Sequence, residues 1–346
     1  MSIFVTTQSY RGDEPTTFGL LCEIDNKTGE ILNSLSVNTP IECDNENERI
    51  KPGLRGIYGY NNKIYTTTWN KIVIIDRENL KIEQEFSHSW MSDLHGIFVD
   101  ENGIWVTSSL PDCVILYGFD GEVKSSLWIP ETLLYKNRTI VDKEMDWRYK
   151  GKDFRGFREF HCNHIEKNGG VIFITGRGKG TNGRVIKVNI ESFLKKKYVK
   201  DEDISMFAKK LHGPHDGIWF DSFFWVTETN GSTVCGLDRK GKVRIRKKIK
   251  ESEEQTIKYN SISDRIKSYL KEKFLNKPGR KITHWTRGLC FNNDAIFVGQ
   301  STWAGEVSSK ARIIKLDRKT RKIKNCFYLS IPDYPETRIF QIWAHN

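Results

Sequence analysis

The chain has no apolar run approaching the roughly 20 residues that cross a bilayer as a helix, and its mean hydropathy is −0.54. A helical membrane protein is excluded, and no membrane partner is expected. The start, Met1-Ser2-Ile3-Phe4-Val5, lacks the basic and apolar regions of an export signal. Cysteine is sparse: seven residues, an odd number, with no CxxC pair. That excludes a zinc ribbon and argues against a disulfide framework, so a reduced, cytoplasmic setting is expected. What is abundant is folded-protein material, with 38% hydrophobic and 12% aromatic residues in 346, which excludes a disordered tail.

The net charge of +11 is not spread evenly. Residues 239–281 hold 16 Lys and Arg against 5 Asp and Glu, and the rest of the chain carries 39 of each sign. Nucleic-acid binding is therefore not expected of the molecule as a whole, since such a block also forms an ordinary solvated surface.

A repeat runs through the sequence. Leu54-Arg55-Gly56-Ile57 through Thr66-Thr67-Thr68 aligns with Leu94-His95-Gly96-Ile97 through Val106-Thr107-Ser108 and with Thr286-Arg287-Gly288-Leu289 through Val298-Gly299-Gln300. Further copies begin at Cys162-Asn163-His164-Ile165 and, with one deletion in the turn, at His215-Asp216-Gly217-Ile218. Each copy is a short strand, a polar turn and a β-branched, aromatic strand. Two more strands follow, as in 71–76 with 81–86, 233–238 with 242–246, and similar pairs within 112–127, 183–199 and 311–329. Four antiparallel strands per repeat predict a β-propeller. Ile3-Phe4-Val5-Thr6-Thr7 resembles a second strand with no first, and Thr337–Trp343 a first strand with no second. The ends, 1–38 and 337–346, then share one blade, and the expected fold is a single all-β, six-bladed propeller over 1–346. Two inserts break the rhythm. Residues 130–160 show no strand pattern, and 251–283 contain a candidate amphipathic helix at 261–275, stopped by Pro278-Gly279.

In a propeller the innermost strands line a central channel, and their starts converge on one ring. The aligned ring positions are Arg55, His95, Asn163, Asp216, Arg287 and, at the C-terminal end, Arg338. None is apolar. Of the eight histidines, six lie on or near these positions: His95, His161, His164, His212, His215 and His284. Two chemistries fit. In the first, a divalent metal (zinc, iron or similar) is held by His95, His164 (or His161) and His215 from consecutive blades, with Asp216 as ligand or as the group that orients one. In the second, one imidazole attacks while Arg and Asn stabilise the developing anion. In both, Arg55, Arg287 and Arg338 grip a small anionic substrate. Glu228, ending Trp225-Val-Thr-Glu228, is a candidate base, and Arg177, in Thr175-Gly-Arg-Gly-Lys-Gly180, a candidate anion contact. Trp285 stands near the rim as a stacking surface. The expectation is thus His161, Asp216, Glu228 and Arg177 as catalytic residues, and Arg55, Asn163, Arg287, Arg338 and Trp285 as substrate contacts.

The repeat resembles those of six-bladed propellers of the NHL and gluconolactonase-like type. Pro214-His215-Asp216-Gly217-Ile218 through Glu228 is similar to repeats of the streptogramin lyase family. Peptidyl-hydroxyglycine amidating lyase is similar in placing zinc-binding histidines at blade starts, which implies His95, His164 and His215 as the matching ligands. His161-Cys-Asn163 followed by Arg177, with Pro214-His215-Asp216, resembles motifs of arylsulfate sulfotransferases. These resemblances imply, first, a metal-dependent lyase or hydrolase and, second, a histidine-mediated sulfo-group transferase. A non-catalytic binding propeller is the third reading, because one fold hosts many activities.

Overall fold

The computed structural model describes residues 2–8, 10–11, 14–15, 18–39, 52–150, 159–178, 182–249, 284–302, 311–329, 331 and 337–344. The candidate helix at 261–275 lies outside them. The described residues form six four-stranded antiparallel sheets and a two-stranded hairpin.

Blade 1 is completed by both chain ends: Arg338–Ala344 is innermost, then Ser2–Gln8, Phe18–Asp25 and Ile31–Asn38. Blades 2, 3, 4, 5 and 6 begin with the inner strands Ile57–Tyr60, Leu94–Asp100, Cys162–Asn168, Ile218–Phe220 and His284–Phe291, and each runs outward in chain order. Every inner strand touches the inner strands of both neighbouring blades, so the ring is closed. Pairing of Ile3 with Ala344, Phe4 with Trp343 and Val5 with Ile342 joins the two chain ends in one complete four-stranded blade.

Alternation of side chains across each strand explains the core. In Gly103–Ser108, Ile104 and Val106 face a cluster shared with blade 2, including Ile72, Ile74 and Ile97. Trp105 faces the opposite way, into a cluster with Ile165, Ile174 and Phe193 of blade 4. Each of the other blade boundaries has its own cluster. Near the channel this packing leaves no room for side chains. A Cβ on Gly56 would lie 2.5 Å from the His95 carbonyl oxygen, and one on Gly96 would lie 2.6 Å from the His164 Cα. This close approach is the physical reason for the Gly-Ile pair that marks the repeat.

Blade 4 departs from the expectation of a strand pair within 183–199. Strand Gly183–Asn189 runs into a short helix, Ile190–Lys195, and the outer strand is Ile204–Leu211. The Asn189 side chain accepts a hydrogen bond from the Glu191 N–H, which caps the helix. Phe193 then packs edge-on against Trp105 at 5.1 Å.

The described residues of the 130–160 insert contain no strand and are well anchored. Trp147 is buried, its N–H donates to the Ser89 carbonyl at 2.7 Å, and Trp90 Nε1 donates to the Lys143 carbonyl at 2.7 Å.

Candidate functional site

The ring of side chains is set by a bulge at each inner strand, where two residues face one on the second strand. Arg55 N donates to the Thr67 carbonyl at 2.8 Å, and Gly56 N to Thr67 Oγ1 at 3.0 Å. The same pair of bonds recurs from His215 N to the Thr227 carbonyl at 3.0 Å and from Asp216 N to Thr227 Oγ1 at 3.2 Å. His215, not Asp216, is therefore the ring residue of blade 5. In blade 1 the equivalent donor to Thr6 Oγ1 is Gln341 N, at 3.2 Å. The ring residue there is Phe340, not Arg338. The expected ring is corrected to Arg55, His95, Asn163, His215, Arg287 and Phe340. Matched on Arg55 to Thr67 and His215 to Thr227, the fifth copy needs no deletion, so the expected gap displaced one register; Gln341 in place of the marker glycine hides the other.

Phe340 is 2% exposed. Its ring lies 5.2 Å from that of His95 and 5.0 Å from that of His215, both edge-on. The guanidinium carbons of Arg55 and Arg287 lie 5.5 and 5.2 Å from its centroid. On their other sides these arginines approach Trp69 at 4.9 Å and Trp285 at 4.7 Å. Trp285 thus supports Arg287.

Beside this group, ligand atoms of Asp93, His95 and His161 all lie within 4.8 Å of one another. Among the described residues this is the one such convergence of His, Cys, Asp or Glu. The imidazoles of His95 and His161 are 5.1 Å apart, and those of His95 and His215 are 5.7 Å apart. Asp93 Oδ1 accepts from Arg55 Nη1 at 2.5 Å. Burial would raise the Asp93 pKa, but His95, Arg55 and His161 together hold it well below the usual range. His95 Nδ1 lies 2.7 Å from the Asp93 carbonyl oxygen. That oxygen only accepts, so Nδ1 carries the proton and Nε2 keeps its lone pair. Ser109 Oγ, 3.0 Å from the same Nδ1, donates to the Cys162 carbonyl and can accept from His95. Burial drives the His95 pKa well below its ordinary value, with Asp93 opposing.

His161 is held by its backbone. Its φ is +53°, a left-handed value uncommon outside glycine and concentrated at functional sites. The buried Asp112 carboxylate accepts the N–H groups of Phe160, His161 and Cys162 at 3.2, 2.9 and 2.9 Å, and the Tyr135 hydroxyl as well.

His164 turns away from this convergence. Gln341 Oε1 accepts from Ile57 N at 2.9 Å, so Gln341 Nε2 is the group 3.0 Å from His164 Nδ1. Nδ1 must accept, which leaves the proton on Nε2 and no lone pair for a metal. Of the two candidates, the structure thus brings His161 to His95. Asp216 is also turned into the wall, where its Oδ2 accepts from Gly288 N at 3.0 Å and from Thr227 Oγ1. Burial raises its pKa, with His164 opposing. Asn163 Nδ2 donates to the Pro214 carbonyl at 2.9 Å. Glu228 is 1% exposed and has both oxygens engaged: Oε1 by His212 N at 3.0 Å and Arg246 Nη2 at 2.9 Å, Oε2 by Thr233 Oγ1 at 2.6 Å. None of these bonds reaches the imidazoles of His95, His161 or His215. Arg338, opposite Gln8 in blade 1, acts on Arg287 through its charge.

His215 is 3% exposed, and neither ring nitrogen has a hydrogen-bond partner. Burial, then the charges of Arg287, His164, His161 and Arg177, push its pKa well below the ordinary value. A buried neutral imidazole is stabilising above its unfolded pKa of about 6.5, and that contribution is lost as pH falls below it. His215→Phe is therefore expected to leave the melting temperature at pH 7.5 within a few degrees and to move the acid-unfolding midpoint down by several tenths of a pH unit. An unchanged acid midpoint by circular dichroism would show that His215 is not held neutral.

Sequence reasoning missed Asp93, Asp112 and Phe340. Asp93 stands two residues before a ring position and was open to the same repeat logic. Asp112 acts through backbone contacts that no spacing encodes.

No protein-family model matches the chain, and no curated protein sequence matches it. Solved structures do. A protein of unknown function from Bacteroides caccae superposes with a TM-score of 0.58 at 10% identity, over 99% of this chain and 97% of that one. A chain of a nidogen/laminin complex gives a TM-score of 0.57 at 11% identity, over 98% and 97%. This chain shares the six-bladed propeller fold. A streptogramin B lyase structure matches at a TM-score of 0.43 and 14% identity, over 81% of this chain and 84% of that one. At that score the match carries no argument about activity, which rests on the propeller's own residues.

Proposed function

We propose that this propeller is a metal-dependent enzyme of lyase or hydrolase type, acting on a small anionic substrate at the mouth of its central channel. The observation that carries the reading is the convergence of Asp93, His95 and His161 near Arg177 and Arg287, whose guanidinium groups make no ion pair among the described residues. The donor set fits a divalent metal such as zinc or iron. Asp93 is held ionised, His95 is held neutral with Nε2 presented, and the Asp93 carbonyl fixes that tautomer in the manner of metal-bound imidazoles. When bound, the metal would polarise an oxygen or lower the pKa of a water. His215, with both nitrogens unengaged, would take or deliver the proton. Arg287 and Arg177 would hold the anion, while Arg55 keeps Asp93 charged. Nucleic acid has no part in this reading: on the basic outer strand Val243–Lys248, Arg244 and Arg246 are already paired with Asp238 and Glu228.

Elemental analysis of protein purified without a histidine tag is expected to give close to one divalent metal per chain. The double variant His95→Ala/His161→Ala is expected to give less than a tenth of that. A wild-type value near zero that stays there after zinc or iron is added would end the reading.

One observation favours a second reading, histidine-mediated sulfo transfer: His215 offers an unprotonated lone pair beside guanidinium groups. Its nitrogen would attack sulfur, the S–O bond to an aryl leaving group would break, and the phenolate would take up a proton. Intact-mass measurement after incubation with an aryl sulfate is expected to show one added sulfo group, and an unmodified mass beside a consumed donor would refute it.

A further inference from the structure

We infer that the anionic group of the substrate is a tetrahedral dianion, a phosphate monoester in preference to a carboxylate or a sulfate monoester. The inference deepens the reading above and rests on it only for the location of the site. The guanidinium groups of Arg287 and Arg177 have no hydrogen-bond or ion-pair partner among the described residues, although the Arg177 backbone N–H donates to the His161 carbonyl at 3.1 Å. Arg287 Nε is enclosed with nothing to donate to, although buried polar groups are nearly always satisfied.

The geometry is built rather than accidental. Arg287 is flanked by Trp285 at 4.7 Å and Phe340 at 5.2 Å, and Arg55 by Trp69 at 4.9 Å and the same Phe340 at 5.5 Å. These flat rings fix the guanidinium planes without supplying an acceptor. Two carboxylates stand near: Asp93 Oδ1 is taken by Arg55, and Asp216, whose charge also acts on Arg287, has its Oδ2 taken by Thr227 Oγ1 and Gly288 N.

Charge supports the same conclusion. Burial, then repulsion from Arg177 and Arg55, lowers the Arg287 pKa to about 9, and burial also lowers that of Arg177. Two cations without a side-chain partner among the described residues crowd one site, which a protein does not maintain for stability. A group with two negative charges and several acceptor oxygens satisfies both forks, and a monoanion satisfies one. At pH 8 a phosphate monoester, with its second pKa near 6, carries both charges.

The test uses the full chain with EDTA, so that it does not depend on the metal. Calorimetric titration at pH 8.0 with phenyl phosphate, phenyl sulfate and benzoate is expected to rank phenyl phosphate at least tenfold tighter than either monoanion. Inorganic sulfate, a tetrahedral dianion without the ring, is expected to compete. Arg287→Gln and Arg177→Gln are each expected to weaken phenyl phosphate at least tenfold. Arg287→Gln is also expected to raise the melting temperature of the ligand-free protein, because it removes an unpaired, half-buried charge whose Nε is enclosed. Equal affinity for benzoate, undiminished binding by both variants, or a lowered melting temperature in Arg287→Gln would overturn the inference. Failure here leaves the metal prediction standing, and failure of the metal analysis leaves this one.

Discussion

Replacing Asp112 with Ala is expected to destabilise the protein by about 4 kcal/mol, the range for breaking a buried charged hydrogen-bond network. The carboxylate is fully buried and accepts three consecutive backbone N–H groups, from Phe160 to Cys162, plus the Tyr135 hydroxyl. Without it those N–H groups lose their acceptor in a site closed to water. The left-handed turn at His161 then loses what holds it. Asp112→Asn keeps the shape and one acceptor oxygen, and should cost about half as much. Urea unfolding measures both. A further consequence separates this role from generic packing. Asp112→Asn should bind metal at least tenfold more weakly, although Asp112 is not among the converging ligands. A variant that loses stability but binds metal as the wild type does would show that the clamp supports the fold and not the placement of His161.

Asp93→Asn is expected to have the other large effect. Asp93 is 7% exposed, paired with Arg55 at 2.5 Å and placed 3.7 Å from His95 Nδ1. Removing the charge leaves Arg55, 1% exposed, with a weaker partner, and breaking a buried pair in this way costs about 3 kcal/mol. It also takes the anionic member from the candidate metal group, so affinity should fall at least a hundredfold. Competition between the protein and a zinc-binding dye reads this directly. The pH dependence of stability follows from the direction of the shift. Because the folded pKa of Asp93 is depressed, its contribution is present above the unfolded value of about 3.9 and is lost only as pH falls below it. Asp93→Asn should therefore narrow the stability gap to wild type in strong acid. A gap that does not change with pH would mean that the carboxylate is not ionised in the folded protein.

These two residues mark where sequence reading stopped. The repeat, the blade count and the closure by both chain ends were all legible. They depend on alternation along strands and on turn residues at fixed offsets, which are local properties. The Gly-Ile pair was legible as a marker, and its cause, contact between inner strands of adjacent blades, needed coordinates. Convergence of His95, His161, His215, Arg55 and Arg287 on the channel was also foreseen, since ring closure brings every inner-strand start to one axis.

The sequence by itself thus determined the propeller and part of the set of side chains at its channel, without Asp93 or Phe340. The tertiary structure alone decided which of them meet. His161 rather than His164 joins His95, because Gln341 from blade 1 fixes the His164 tautomer across the channel. Phe340 rather than Arg338 occupies the ring, because Gln341 stands at the glycine position of the repeat and Phe340 is the bulged residue before it. Asp216 and Glu228 are spent on the wall by hydrogen bonds to neighbouring segments. Such outcomes depend on contacts between residues dozens to hundreds of positions apart, and a strand pattern carries no information about them.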